Sequence, residues 1–210
     1  MNAVLDPAHL VALAAALGWA SGFRLYAVVF LTGLAGFMGW MPLPSGLQLL
    51  SHPAVLAASG FMLLVEFLAD KIPYLDSLWD MVHTVIRIPA GAALAGAVFG
   101  ADGASAALVA ALLGGTLAAT AHATKMTARA AINTSPEPFS NLAMSLSEDA
   151  LVLLAFWLAS SHPVAFGVAL CIAVTLMFAT LALLYRFLLA VARTVGAFFS
   201  GSTNPRSSRV

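Results

Sequence analysis

Apolar stretches of membrane-spanning length follow one another along this chain with little between them, and no motif constrains the fold as strongly. They lie at about 8–39, 53–70, 76–99, 105–125, 140–160 and 163–187, each limited by Pro, Gly or charge. The hydrocarbon core of a bilayer is about 30 Å thick, so a crossing helix needs roughly 20 mostly apolar residues. Composition agrees: 61% of the 210 residues are hydrophobic and 9% are charged, against roughly 25% charged in a soluble domain. The sequence therefore predicts an all-α integral membrane protein with six transmembrane helices. They form a single transmembrane domain over 1–200, followed by a disordered cytoplasmic tail, GSTNPRSSRV, over 201–210.

Nine Lys plus Arg balance nine Asp plus Glu, which excludes a polybasic nucleic-acid surface or an acidic tail. The lone Cys171 excludes a disulfide framework and a Cys-rich metal site. The first twenty residues carry Asp6 and no Lys or Arg, so they read as the first helix rather than a signal peptide. Ser51-His52-Pro53 and Ser161-His162-Pro163 mark the starts of the second and sixth helices, with Ser near the N-cap and Pro near the first helical position.

The first stretch would be about 48 Å long as a straight helix, longer than the core is thick. It is expected to bend or break near residues 18–24, where Gly18, Ser21 and Gly22 precede Arg24. The same small residues would equally serve a close helix-packing face. The stretches 40–52, 100–104 and 161–162 contain no Lys or Arg, whereas Lys71, Lys125, Arg129, Arg186 and Arg193 lie at the opposite helix ends. By the positive-inside rule both termini are expected on the cytoplasmic side. Six helices also divide as three plus three, which allows an inverted repeat. Beyond the sixth helix, Arg186 to Phe199 reads as a helical extension along the cytoplasmic interface.

Helical periodicity organises nearly every charge, since residues i, i+3, i+4 and i+7 share a face. Glu66 and Asp70 fall on one face of the second helix, with Lys71 beside them; Asp76, Asp80, His83 and Arg87 fall on one face of the third. His122, Lys125 and Arg129 form a stripe on the fourth, and Asn141, Ser145 and Glu148 one on the fifth, with Asp149 adjacent. With Arg24 these residues are expected to make one polar site in the cytoplasmic third of the bilayer. Ionisable groups in lipid face the bundle interior and pair there, and they mark ion or solute pathways.

Asp76-x-x-x-Asp80 matches only the end of the two-metal motif of CDP-alcohol phosphotransferases. Glu66-x-x-x-Asp70-Lys71 departs by one residue, and by Ala69 for Gly, from the signature of a six-helix family of calcium and manganese transporters. No Gly-x-Ser-x-Gly, His-Glu-x-x-His, P-loop or dinucleotide fingerprint is present. A fuller match is carried by Ala20-Ser21-Gly22-Phe23-Arg24, Glu66-Phe67-Leu68-Ala69-Asp70-Lys71-Ile72-Pro73, Asp76 to Asp80, His122-Ala123-Thr124-Lys125 and Ser145-Leu146-Ser147-Glu148-Asp149. In these the chain resembles a family of small bacterial inner-membrane proteins catalogued as domain of unknown function 4126. That resemblance implies a membrane domain in the bacterial inner membrane and supplies no activity.

The residues themselves point to a small transporter or channel for a cation, with proton coupling as an option. Glu66, Asp70, Asp80, Glu148 and Asp149 would ligate a cation or exchange protons. Arg24, Lys125 and Arg129 would act as internal counter-ions, and Asn141 and Ser145 would add neutral oxygens. His83 and His122 add groups suited to a proton relay. Three alternatives stand beside this one: transport of an anionic lipid or solute on Arg24, Lys125 and Arg129, a lipid-head-group enzyme using Asp76, Asp80 and His83, and a structural or assembly subunit. The expected partners are the lipid bilayer and a small ion or solute, with no cofactor beyond a bound cation. A bundle this small is compatible with a homo-oligomer, although no interface is specified.

Overall fold

The computed structural model describes residues 6–72, 74–100, 103–134 and 138–200. Pro73, where a turn is expected, and the tail at 201–210 lie outside them. The elements are α1 (Pro7–Phe37), a short 3-10 helix (Ser45–Ser51), α2 (Pro53–Ala69), α3 (Leu75–Val98), α4 (Ala104–Ile132), α5 (Pro138–Ser161) and α6 (Pro163–Ser200), with no strand among the described residues. Among the described residues five helices are long and apolar enough to cross a membrane; α2, at 17 residues, makes a sixth span only together with the 3-10 helix, from which it is bent by 70°. Arg186 to Phe199 continues α6 as part of the same helix.

Local chemistry sets the helix starts. The Asp6 carboxylate accepts from His9 N at 2.9 Å and caps α1. At α2 the cap is His52 Nδ1, which accepts from Ala54 N at 3.2 Å; Ser51 ends the 3-10 helix instead. Tyr74, the cap position of α3, adopts φ +70°, a left-handed conformation that side chains with a Cβ resist.

Helix α1 breaks at Arg24, whose φ and ψ are −142° and 78°. Ala16, Leu17 and Ala20 before the break, and Val28 and Leu31 after it, line one small cavity with Val152 and Phe156. In a straight helix Ala16 and Leu31 would be about 22 Å apart, so the two arms fold back on each other about Arg24. The first arm runs parallel to α4: Val11 and Ala14 lie beside Ala106 and Ala110, Gly18 lies on Gly114, and Gly22 on Ala118 and Ala121. The second arm returns antiparallel to α2, with Phe30 on Gly60, Gly33 on Leu50 and Leu56, and Gly36 on Leu43 and Ser51.

Both arms therefore open toward the end of the bundle that carries the α3–α4 connection, where Gly46 of the 3-10 helix meets Ala97. Only the tip reaches the other end. From the opening end α6 descends past Trp19, whose Nε1 donates to Met177 Sδ at 3.4 Å, and continues to the tip end. The described start of the chain and the end of α6 thus lie at opposite ends of the bundle, where the charge pattern alone led to the expectation of one shared side.

Small residues hold the hairpin in place. A Cβ on Gly18 would sit 2.5 Å from Gly114 Cα, and one on Gly91 would press Ala118 Cβ. Backbones approach this closely only where Gly and Ala meet, which is the usual means of helix association in lipid. The expected break and the expected packing face are therefore the same segment. Around this interior the outward side chains are apolar, Leu64, Val85, Leu112, Leu153, Ile172 and Phe178 among them, while fully buried positions hold charge. With its several apolar helices the chain is a multi-pass membrane protein.

Candidate functional site: a buried ion-pair network

The helical stripes converge. Glu66 and Asp70 reach in from α2 and its end, Asp76, Asp80 and Arg87 from α3, Lys125 and Arg129 from α4, and Ser145, Glu148 and Asp149 from α5, around Arg24 at the tip of α1. All of these side chains are fully buried except Asp149, at 24% exposure.

Arg24 Nη1 lies 2.8 Å from Asp70 Oδ2 and its Nε 3.1 Å from Asp149 Oδ1, while Nη2 donates to Ser145 Oγ at 2.8 Å and to the Ser145 carbonyl at 3.1 Å. Arg87 bridges Glu66, at 2.6 Å, and Asp80. Arg129 donates to Asp76 Oδ2 at 2.9 Å, to the Asp70 carbonyl at 3.1 Å and to Glu148 Oε2 at 3.0 Å. Lys125 Nζ sits between Asp70 Oδ2 (3.1 Å), Asp80 Oδ1 (3.2 Å) and Glu148 Oε2 (3.1 Å), and also donates to the Phe23 carbonyl at 3.1 Å. That carbonyl belongs to the last turn before the α1 break, where carbonyls lose the amides that would follow in an unbroken helix.

Around this centre the other expected residues take different places. Thr84 Oγ1 donates to the Asp80 carbonyl at 3.0 Å and lies 2.8 Å from His122 Nε2, which then donates to it; His122 Nδ1 faces Arg87 Nη1 at 3.4 Å and the Gly22 carbonyl at 3.3 Å. His83 stacks on Trp79 with ring centroids 4.1 Å apart, and its Nδ1 bonds the Trp79 carbonyl at 2.8 Å, so it stands beside the network without an ion pair in it. Lys71 donates to the Phe67 carbonyl at 3.1 Å with its ammonium over the Phe67 ring; burial there pushes it below the ordinary lysine value. Asn141 is fully buried with neither amide atom hydrogen-bonded.

The carboxylates expected as cation ligands, Glu66, Asp70, Asp80, Glu148 and Asp149, each face a guanidinium or ammonium group. As the side chains stand, with Lys125 among them, no group of three or more His, Cys, Asp or Glu among the described residues is placed to hold a metal ion. The periodic stripes did not include Thr84, Ser77 and Asn133. Asn133 Nδ2 donates to Asp76 Oδ1 at 3.3 Å and to Ser77 Oγ at 2.9 Å. It lies four residues past Arg129, so extending that stripe by one turn finds it. The Gly22 and Phe23 carbonyls carry no such signal, because only the break turns them toward side chains.

A groove of about 380 Å³ runs between the second arm of α1, α2 and α5, lined by Ala27, Phe30, Leu63, Phe67 and Val152 among others, and its one charged lining residue is Asp149. It connects the apolar outer surface to the edge of the network. No curated protein and no solved structure matches the chain. The chain belongs to the family described as Domain of unknown function (DUF4126), whose model matches residues 11–183 and so takes in the whole network from Arg24 to Asp149.

Proposed function

We propose that the protein is a small transporter or channel for a cation, with protons as the coupling ion, working from the bacterial inner membrane. The observation that carries this reading is the charge of the network. Among the described residues the carboxylates of Glu66, Asp70, Asp76, Asp80, Glu148 and Asp149 form close ion pairs with four bases, Arg24, Arg87, Lys125 and Arg129, and a fifth, Lys71, acts on Asp149 from longer range. Uncompensated charge inside a membrane is costly, so the acids in excess are neutralised by protons or by a mobile cation. Exchange of that neutralising ion is the elementary step of coupled transport.

The network end faces the cytoplasm in this reading. Lys71, Lys125, Arg129, Arg186 and Arg193 lie toward it, while 40–52, 100–104 and 161–162 carry none; the opening residues MNAVLD, before the first arm, also lack Lys and Arg. The anion alternative is weaker because Arg24, Lys125 and Arg129 are each engaged by two or more carboxylates. The enzyme alternative would need Asp76, Asp80 and His83 to act together, yet Asp76 holds Arg129, Asp80 holds Arg87, and His83 bonds the Trp79 carbonyl. A flux screen in proteoliposomes over protons, monovalent and divalent cations and small anions tests the reading. We expect cation or proton flux that is lost in the Glu66→Gln/Glu148→Gln double variant; folded protein silent across the panel overturns it.

A further inference from the structure

The surroundings of Lys125 Nζ have the form of an ion site. Asp70 Oδ2, Asp80 Oδ1 and Glu148 Oε2, from the end of α2, from α3 and from α5, lie 3.1–3.2 Å from the nitrogen, and the Phe23 carbonyl of the broken α1 completes the set at 3.1 Å. Carbonyls at the ends of broken helices, together with side-chain oxygens, coordinate the coupling cation in transporters built on discontinuous helices. Here an ammonium group on a flexible stem stands at that point.

The radius of the cage decides which free ions would suit it. Magnesium takes oxygens at about 2.0–2.1 Å and calcium at about 2.3–2.6 Å, so a cage of 3.1–3.2 Å is too wide for either without collapse. The carboxylates of the cage are also shared with Arg24, Arg87 and Arg129. Asp70 Oδ1 and Glu148 Oε1, the second oxygens of two cage carboxylates, are buried without hydrogen-bond partners. Asn141, on the helix face of α5 that carries Glu148, is fully buried with both amide atoms unpartnered.

We propose that this cage is a monovalent-cation site whose resident occupant is the tethered ammonium of Lys125, and that a free cation of ammonium or potassium size replaces it when the lysine side chain withdraws. Lysine suits such a role where arginine would not, since its ammonium is a compact point charge that can leave and return on its stem. The role of this exchange in a transport cycle rests on the function proposed above; occupancy of the cage is a binding property that stands apart from it.

The test uses the full chain in lipid nanodiscs and has two arms. In the first, thermal midpoints of wild type and Lys125→Met are compared in ammonium, potassium, sodium, magnesium and N-methylglucamine chlorides at equal ionic strength. We expect the variant alone to gain stability in ammonium or potassium, by roughly 3–6 °C for each tenfold rise above the dissociation constant. Equal midpoints in all salts overturn the cage as a cation site. In the second arm, acylation of Lys125 in wild type by a small membrane-permeable amine reagent is followed by mass spectrometry and normalised to Lys71. Potassium or ammonium should speed it several-fold over N-methylglucamine. An unchanged rate overturns the exchange, and decides the matter if Lys125→Met fails to fold. Positive binding in both arms without flux in proteoliposomes would sink the transport reading and leave the cage standing.

Discussion

Each buried base serves at least two acids, so the consequences of substitution are asymmetric. Arg129 touches Asp76 and Glu148 at close range, with Asp70 and Asp80 at 3.4 Å. Removing it as Arg129→Met leaves several buried acids facing one another, at an expected cost of about 3–5 kcal/mol. Asp76→Asn removes one charge from a network already rich in acids, so we expect it to cost much less, about 1 kcal/mol, by leaving only Arg129 short of a partner. Thermal unfolding of the two variants in nanodiscs checks the order; a larger loss from Asp76→Asn would mean that the network is not short of positive charge. At the first turn, hydrogen bonds from the His9 amide and then its side chain hold the Asp6 carboxyl below its ordinary value. Its contribution is full above the unfolded aspartate value and is lost as pH falls through the lowered folded one. Faster amide exchange at His9 on acidification through that range is the expected readout. Much of this was legible beforehand, because i, i+4 spacing alone collected Glu66, Asp70, Asp76, Asp80, Arg87, Lys125, Arg129 and Glu148 on inward faces. His83 satisfies the same period yet stays outside the ion pairs, since stacking on Trp79 takes its ring.

At the level of elements, the small-residue contacts decide where the tip of α1 sits. Gly22→Val would drive a side chain into the Ala118 carbonyl and Ala121, and would move the Phe23 carbonyl away from Lys125. We expect a loss of about 3 kcal/mol or more and a lower yield of folded protein, whereas Gly167→Ala, in open space on α6, should be neutral. Gel filtration and thermal melting of the pair separate overpacking from a general intolerance of Gly replacement. Tyr74→Gly relieves a left-handed backbone at an exposed corner, so the midpoint should hold or rise slightly despite the greater freedom of the unfolded chain. The position of the α1 break could be read from Gly18, Ser21 and Gly22 ahead of Arg24, but its angle could not. A weak point in a helix says where it yields; Gly114, Ala118 and the arm's own Leu17–Val28 packing determine how far. The 3-10 helix at Ser45–Ser51 has no apolar period of its own, and its place comes from Leu47 entering the core and Gly46 meeting Ala97.

For the whole molecule, the hairpin changes the path of the chain through the membrane. Epitope tags placed before Asp6 and after the C-terminal tail should be reached from opposite faces of sealed vesicles; access to both from one face would contradict the folded-back α1. The run of Lys and Arg at one end was legible in the sequence; the doubling back of α1 was not, because a 31-residue apolar stretch has the length of a crossing whether or not it doubles back. The same doubling bears on how the protein is made. Arg24 leaves the ribosome long before Asp70 and longer still before Glu148 and Asp149, and the surfaces that seat its arm, Gly114 and Ala118, also come later. Helix α1 is thus made before the segments that seat it, and settles after them. Until α5 is inserted the charged tip has Asp70 but lacks Ser145, Glu148 and Asp149, so the seat of the hairpin is complete only when the fifth helix arrives.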